Sequence, residues 1–347
     1  MLSSLCRPLR RLLPVLGPLL GAACLPDPDI KVPDFKPAGV VDLAVAPADA
    51  GALPDAGRIR WQPDAMIPTT QTLRGITSDS SGQVFVVGHG GQIWRRTAVS
   101  WVAEPAVDGA KTLTTNLYGV VSSGADFYAV GDAGVVLRRV TDKWQQEGKE
   151  LGVTVALLAI TALPSGDLYV VGDGGTLLRK PAGGAWSRDS SDAALANADF
   201  RAVAVSKPDE LFAVGAGGVI ARRSSGKWSP DSVAIDAGER GNFSAVVVTS
   251  ESVFVAGEYN RVLRRDADKW RREPTAPLSG TGGNLFALVA SGLDLVAVGQ
   301  GGNIQRRDGK AKTWTLDDSG TTFALSAVSA SPVLRAVGAQ GTVVVQK

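Results

Sequence analysis

The sequence is poor in the residues on which many enzymes and metal proteins depend. Its 347 residues include one histidine, two cysteines and two methionines. A multi-histidine metal site is therefore excluded, and at most one disulfide is possible. No stretch has the 3.6-residue apolar periodicity of a long amphipathic helix. We expect an all-β chain with neither a metal nor another cofactor.

An excess of either charge is also lacking. The chain has 36 basic and 34 acidic residues, and three of the basic residues lie in the first 23 positions, which contain no acid. Without those three, 33 basic residues face 34 acidic ones. Nucleic-acid binding needs a concentrated basic stripe rather than a balanced surface. We therefore expect no nucleic-acid partner.

Residues 1–23 have the three-part pattern of a secretory signal peptide. A basic region ends at Arg11, a leucine-rich run covers residues 12–20, and small residues occupy positions 21–23. The apolar run is about half the ~20 residues that a membrane-spanning helix needs, and it contains two prolines. The pattern predicts cleavage during export.

Cys24 follows the signal directly, in a setting that resembles the lipobox of bacterial lipoproteins. The lipobox prefers leucine three residues before the cysteine, whereas here Leu20 lies four residues before it. The resemblance implies that Cys24 carries lipid and holds the protein on a membrane of the bacterial cell envelope, as an outer-membrane or periplasm-facing lipoprotein. The alternative is ordinary secretory cleavage, which leaves Cys24 as a free thiol.

Residues 24–56 are dominated by proline, aspartate and alanine, as in "LPDPDIKVPDF". Few large apolar side chains mean that such a stretch cannot offset its ordering entropy. We expect a semi-extended tether. The remaining residues, 57–347, then form the folded domain.

One phrase recurs seven times in that domain, for example as "VFVVGHGGQIWRR" and "LFAVGAGGVIARR". Its first glycine recurs at intervals of 39 to 43 residues, at Gly88, Gly131, Gly172, Gly215, Gly257, Gly299 and Gly338. A short motif such as "LRGI" precedes each copy, and a tryptophan follows each of the first six. Four short apolar runs in about 42 residues are typical of one propeller blade. The sequence therefore predicts a seven-bladed β-propeller.

The seventh copy ends at Lys347 without a fourth strand, whereas "RIRWQPD" at 58–64 looks like the fourth strand of other copies. Trp61 precedes Gly88 by 27 residues, which is in phase with the other tryptophans. An unclosed ring would expose apolar faces and free strand edges. We therefore predict that the N-terminal strand closes the last blade.

The repeat "AVGxxGxIxR" with its following tryptophan resembles that of the photosystem II stability and assembly factor group. It is also similar to bacterial propellers that carry the Asp-box, of which "SSGKW" and "DADKW" keep the tryptophan but not the ordered aspartate. The resemblance covers about residues 58–347. It implies a propeller that acts as an assembly scaffold or as an envelope protein of unassigned role, and not mainly as a catalyst.

Six pairs of basic residues end the third strands and suggest two interpretations. One is a basic rim that recognises acidic glycans or a partner protein. The other is structural, with the first arginine of each pair laying its stem on the core and its head on a loop acid. The pairs are Arg95-Arg96, Arg138-Arg139, Arg179-Lys180, Arg222-Arg223, Arg264-Arg265 and Arg306-Arg307.

Other candidate binding residues lie where one repeat departs from its siblings. His89, Asp132 and Asp173 occupy the same turn position in different copies, where aspartate faintly suggests calcium and variation suggests a solvated turn. In "GEYNR", Glu258, Tyr259 and Arg261 form the largest departure from the repeat. They are expected to join Arg74 and Arg201 of the innermost strands near the channel.

These observations predict a non-catalytic propeller, exported and lipid-anchored, that binds a protein or an envelope polymer. The alternatives are a glycan-binding module and a glycoside hydrolase. Sialidases of this general architecture use tyrosine, glutamate and several arginines, and the "GEYNR" segment matches them in residue types alone.

Overall fold

The computed structural model describes residues 58–346 apart from 109–110, 233, 268 and 279–282. The signal peptide, Cys24 and the tether lie outside the described residues. Seven antiparallel sheets follow one another in the described part, and each first strand packs against the first strand of the next sheet. The last first strand packs against that of the first sheet, so the ring is closed. The predicted seven-bladed, all-β propeller is confirmed.

Each blade has four strands, counted from the central channel outward. Blades 1 to 3 consist of Leu73–Ser78, Val84–Gly88, Ile93–Arg96 and Trp101–Ala103; Leu117–Ser123, Asp126–Gly131, Val136–Val140 and Lys143–Glu147; and Leu157–Ala162, Leu168–Gly172, Leu177–Lys180 and Ser187–Arg188. Blades 4 and 5 consist of Phe200–Lys207, Glu210–Gly215, Ile220–Ser224 and Lys227–Pro230; and Phe243–Val248, Val253–Gly257, Val262–Arg265 and Lys269–Arg272. Blades 6 and 7 consist of Leu285–Ser291, Asp294–Gly299, Ile304–Arg307 and Trp314–Asp317; and Leu325–Ser329, Arg335–Gly338, Val343–Gln346 and Trp61–Pro63.

Three short strands extend the outer edges of two blades. Ala106–Asp108 and Lys111–Thr112 lie outside blade 2, and Ala234–Ile235 lies outside blade 5. The helical segments of the described residues are single 3₁₀ turns: His89–Gly91, Asp132–Gly134, Lys149–Leu151, Ala193–Leu195, Ala216–Gly218, Ala237–Glu239, Gln300–Gly302 and Ala339–Gly341. No helix in this part of the chain has the length and hydrophobicity needed to cross a membrane.

The second strands are buried on both faces, as their uninterrupted apolar sequences predict. All five residues of Val84–Gly88 are buried, and the same holds for Val253–Gly257. One face of each second strand meets the preceding blade and the other meets the next. In blade 1, for example, Phe85, Val87 and Ile93 pack against Phe127 and Trp144 of blade 2. The hydrophobic core is therefore a set of seven interfaces between blades.

The seam joins the two ends of the described chain inside blade 7. Trp61–Pro63 pairs antiparallel with Val343–Gln346, and Trp61 lies opposite Gln346. Trp61 is 1% exposed and donates a hydrogen bond from Nε1 to Asp317 of blade 6 at 3.0 Å. The predicted closure of the last blade by the N-terminal strand is confirmed.

Candidate binding face at the channel mouth

The basic pairs at the ends of the third strands form ion pairs within and between the blades. All twelve side chains lie within 4.0 Å of a carboxylate. The first member of each pair forms an ion pair with a carboxylate of its own blade, as Arg138 does with Asp126 at 2.8 Å. The second member reaches back to the preceding blade, as Arg139 does to Glu104 at 2.8 Å. The structural interpretation of these pairs is therefore the one that the geometry supports.

The acids that receive the second members form a motif that our sequence reasoning missed. An acidic residue stands three positions after every blade-closing tryptophan, and this spacing is the signal that would have found it. Asp64, Glu104, Glu147, Asp189, Asp231 and Glu273 receive the six second members, whereas the seventh acid, Asp317, pairs with Arg306 of its own blade at 3.0 Å. Six of the seven also accept a hydrogen bond from the indole of the next blade's tryptophan, at 2.9 to 3.4 Å. We call each such acid, with the base and indole that it binds, an interblade latch.

Aromatic rings complete five of the latches. The charged group of the second base lies over a ring in the preceding blade, as Arg307 does over Phe254 at 4.9 Å. The other four pairs are Arg139 over Phe85, Lys180 over Tyr128, Arg223 over Tyr169 and Arg265 over Phe212. A partly desolvated cation above a ring adds about 0.5–2 kcal/mol. At the seam, Gln346 stands where the other blades have this base.

Three latch carboxylates, those of Asp64, Glu104 and Glu147, have a pKa below the ordinary value despite their burial. Burial by itself would raise the pKa of Glu104, but hydrogen bonds from Arg139 and Arg95 outweigh it, so this pKa lies below its ordinary value. The pKa of Asp64 is lowered in the same way, against burial, by the Ala65 amide, Arg335 and Arg96. These hydrogen bonds therefore favour the charged form of the carboxylates in these latches.

The channel mouth has a different composition from the latches. Its ring is formed by the second residue of each first strand, and these residues line a cavity of about 270 Å³. The seven residues are Arg74, Tyr118, Leu158, Arg201, Ser244, Phe286 and Ser326. Arg74 and Arg201 are exposed, and among the described residues neither makes an ion pair within 4.0 Å. The mouth therefore presents two exposed guanidinium groups that no carboxylate of the described residues pairs with at ion-pair distance.

A second ring surrounds the mouth because the turn after each second strand folds back beside the start of the first strand of its own blade. The amide of the first turn residue donates to the carbonyl just before that strand, as His89 does to Thr72 within blade 1 at 3.0 Å and Asp132 to Asn116 at 3.0 Å. The turn residues are His89, Asp132, Asp173, Ala216, Glu258, Gln300 and Ala339. Four of the predicted site residues thus lie on one face, around the same opening as Arg74 and Arg201.

Blades 1 and 2 bring together a mixed polar group. The Arg74 guanidinium lies 5.8 Å from the centre of the Tyr118 ring, and the His89 ring meets the same ring edge-on at 6.2 Å. Burial and the neighbouring Arg74 lower the pKa of His89, which is therefore neutral at pH 7. Burial and a hydrogen bond with Asp132 raise the pKa of Tyr118. Asp132 also accepts a hydrogen bond from the Asn116 amide at 2.9 Å.

Blades 3 to 5 contribute the other predicted site residues. Burial and the nearby Asp199 raise the pKa of Asp173, while Arg201 opposes this shift. The Glu258 carboxylate accepts hydrogen bonds from the Asn242 side chain at 2.7 Å and from its amide at 3.2 Å, and these bonds lower its pKa. Arg201 contributes to that lowering, so it lies within electrostatic range of both acids.

The two remaining predicted site residues of "GEYNR", Tyr259 and Arg261, differ in their exposure. Arg261 is 8% exposed, pairs with Glu239 at 3.1 Å and donates to the Arg240 carbonyl at 3.1 Å, so it fastens the connection between blades 4 and 5. Tyr259 is 67% exposed. The expected convergence of all five residues on the channel is therefore met by Arg74, Arg201 and Glu258, whereas Arg261 is held within the fold.

No cluster of three or more histidine, cysteine, aspartate or glutamate side chains with a metal-binding arrangement occurs among the residues that the structure describes. Asp132 accepts a hydrogen bond from Asn116, and Asp173 lies within electrostatic range of Asp199 and Arg201.

No protein-family model matches this chain, and no curated protein matches it significantly. Solved structures do match it. YCF48 bound to a D1 peptide is 17% identical with a TM-score of 0.67, and the match covers 83% of this chain and 97% of that one. Virginiamycin B lyase from Staphylococcus aureus is 12% identical with a TM-score of 0.69, covering 83% and 98%. The WD40 propeller domain of Doa1 is 11% identical with a TM-score of 0.65, covering 83% and 96%.

These likenesses show the fold alone. The similarity to YCF48 agrees in architecture with the group that the repeat resembles. One of these neighbours is bound to a peptide and another is a lyase, so the function must be argued from this chain's own surface.

Proposed function

We propose that this protein is a non-catalytic binding scaffold, exported and held on the bacterial cell envelope through lipid on Cys24, which docks a protein partner on its channel-mouth face. The observation that carries the proposal is the contrast in how the chain uses arginine. Twelve basic side chains of the third strands are paired, yet Arg74 and Arg201 stand exposed at the mouth without an ion pair among the described residues. Exposed cations on a scaffold are available to an anionic partner.

The mouth also offers apolar area between the two arginines. Tyr118, Leu158 and Phe286 contribute rings and a branched side chain to the same ring of seven. Aromatic residues and arginine are enriched in the centres of protein interfaces. A protein segment with acidic side chains fits this mixture, and a structural neighbour of the same architecture, YCF48 bound to a D1 peptide, supports a peptide as the partner.

The partner is tested by affinity capture from the encoding organism with the tagged full-length chain. The double variant Arg74→Glu/Arg201→Glu should recover at least about tenfold less of a specific protein, because two attractive contacts become repulsive. Arg188→Glu is the matched control, since Arg188 is an exposed arginine on the fourth strand of blade 3, and it should capture as much as the unaltered chain. Equal capture by the double variant would contradict the proposed face.

The same preparations test the two alternatives. Recovery of an acidic polysaccharide instead of a protein would establish a glycan-binding module. Turnover of a fluorogenic sialoside that disappears in Tyr259→Phe would establish a glycosidase and overturn the non-catalytic assignment.

The anchor is tested separately by partition between detergent and water. The unaltered chain should enter the detergent phase and incorporate labelled fatty acid, whereas Cys24→Ser should do neither, because each buried methylene contributes about 0.8 kcal/mol to membrane binding. A chain that is exported without label would show ordinary secretion with a free thiol.

A further inference from the structure

One turn on the channel-mouth face is built differently from its six counterparts. Each turn after a second strand has two consecutive residues with positive φ, and glycine occupies the second of these positions in every blade except blade 5. Blade 5 has Tyr259 at φ 58° and Asn260 at φ 54°. A bulky residue with positive φ is a strained exception, so the surrounding structure must hold this turn in place.

The second position is normally too crowded for a side chain. A Cβ added to Gly91 would lie 2.3 Å from the Leu113 carbonyl oxygen, and one added to Gly302 would lie 2.0 Å from that of Thr321. Asn260 nevertheless fits and is 8% exposed. Its amide nitrogen donates to the Ala276 carbonyl at 2.9 Å. The connection from blade 5 to blade 6 is therefore bonded to Asn260, whereas the other six blades have glycine at this position.

A residue of the neighbouring blade completes this arrangement. Gln305, 0% exposed, donates to the Asn260 side-chain oxygen and accepts from the Ala276 amide at 3.1 Å. The same position in the other six third strands is apolar: Trp94, Leu137, Leu178, Ala221, Leu263 and Val344. A buried glutamine is costly unless its amide is fully bonded, as it is here. Two departures 45 residues apart thus support one strained turn.

A side chain at the first of the two turn positions projects into solvent. In blade 5 this side chain is Tyr259. A Cβ added to Gly90, Gly174, Gly217 or Gly301 meets nothing within 4 Å. The Tyr259 ring accordingly stands 67% exposed beside Glu258, on the face that also carries Arg201. Two glycines and an apolar third-strand residue would fold at lower cost. We therefore interpret the Asn260–Gln305 hydrogen bonds as the means by which this turn holds Tyr259 in its exposed position.

We propose that Tyr259 is the anchor of the protein interface, an aromatic contact residue held by the Asn260–Gln305 network; this rests on the proposed function and specifies its central contact. A protein partner fits better than a glycan because the ring projects outward from a turn, whereas sugar rings are bound in concave sites with several converging donors. Tyr259 is 67% exposed, and its ring is the proposed contact.

Position-specific photocrosslinking in the encoding organism tests the anchor. A benzophenone amino acid replaces Tyr259, Ala133 or Gln340 in the full chain; the last two occupy the same exposed turn position in blades 2 and 7 and share its positive φ. A protease-sensitive adduct is expected at 259, with at least about tenfold less at 133 and 340. An adduct at 133 or 340 but not at 259 would overturn the anchor, as would an adduct that only glycosidases remove.

Two substitutions separate the anchor from the stability of the fold. Tyr259→Gly should keep or raise the unfolding midpoint, because it relieves strain, while capture of the partner falls at least about tenfold. Tyr259→Phe should capture normally. If Tyr259→Gly captures normally while Arg74→Glu/Arg201→Glu does not, the anchor is wrong and the proposed function stands. If neither variant reduces capture, both are wrong.

Asn260→Gly and Gln305→Leu test the network itself. Each change alone breaks the Asn260–Gln305 hydrogen bond and should lower the unfolding midpoint by several degrees. The double variant should lose less than the sum of the two single losses, because this shared bond is already broken in each single variant. Strictly additive losses would show that the two residues are not coupled and would remove the argument for a purpose-built turn.

Discussion

The interblade latches and the channel mouth use the same residue type for opposite purposes. In a latch, Arg307 is 1% exposed and bonded to Glu273, and its charge lies over the Phe254 ring. At the mouth, Arg74 and Arg201 are exposed and make no ion pair within the described residues. Repetition separates the two groups, since the latch recurs in blade after blade and the mouth arginines do not. Repeated charges hold this ring together, and unrepeated ones are free to bind.

The largest effect on stability is expected at the seam, where the N-terminal strand and its latch residues close blade 7. Deleting residues 57–64 removes the fourth strand of blade 7, together with the Trp61 indole and the Asp64 carboxylate. The midpoint of thermal unfolding should fall by about 10 °C or more, because one blade loses its outer strand and a buried tryptophan contributes 3–5 kcal/mol. Circular dichroism provides the measurement. Deletion of residues 40–47 from the predicted tether is the control and should change nothing. A midpoint lowered equally little by both deletions would show that the closure is dispensable.

Breaking a single latch should also lower the free energy of unfolding substantially. Glu273→Ala leaves Arg307 buried without its main partner and should lower the free energy of unfolding by about 3–5 kcal/mol. Urea denaturation measures this loss. Replacing both residues, as in Glu273→Leu/Arg307→Met, should cost less than Glu273→Ala alone, because no charge is left stranded. A double variant that is less stable than Glu273→Ala would mean that the pair adds net stability beyond its burial cost.

Acid should weaken the latches in a predictable direction. The folded-state pKa of Glu104 lies below the ordinary value of 4.5, so its contribution is fully present above pH 4.5 and is lost as the pH falls through the folded-state pKa. In Glu104→Gln, the unfolding midpoint should therefore fall less steeply between about pH 5 and pH 3 than in the unaltered chain. Parallel pH profiles for the two proteins would contradict the role assigned to this carboxylate.

The smallest effect on stability is expected at the mouth. Arg74→Glu and Arg201→Glu should each change the free energy of unfolding by no more than about 0.5 kcal/mol, since both side chains are exposed and neither makes an ion pair among the described residues. Urea denaturation checks this expectation alongside the binding measurements. A loss of 2 kcal/mol or more would remove the distinction between latch and mouth arginines.

Much of the architecture was predictable because it repeats. The 42-residue period, the turn glycines and the in-phase Trp61 determined blade number, strand order and the closure of blade 7. The acid three residues after each tryptophan is equally visible in the sequence, but its meaning is not, because its partners lie about 35 and 40 residues further along, on the next blade. Spacing along the chain does not state which base a carboxylate will meet.

The candidate site was predictable in its members but not in its geometry. His89, Asp132, Asp173 and Glu258 were singled out as variations on one turn position, and they do surround the mouth. Arg261 looked equally available from the sequence, yet its guanidinium is held by Glu239 and the Arg240 carbonyl. A side chain's exposure depends on which connection crosses above it.

The sequence by itself determined a seven-bladed ring and the strand that closes it, because period and apolar pattern are local properties that repetition amplifies. Only the tertiary structure decided which basic side chains form ion pairs within the ring and which remain exposed without one among the described residues. Ion pairing depends on atoms from neighbouring blades approaching within a few ångströms, and the Asn260–Gln305 contact shows how far apart in sequence such partners lie. The same packing turned one departure from the repeat, Arg261, inward and left another, Tyr259, facing solvent.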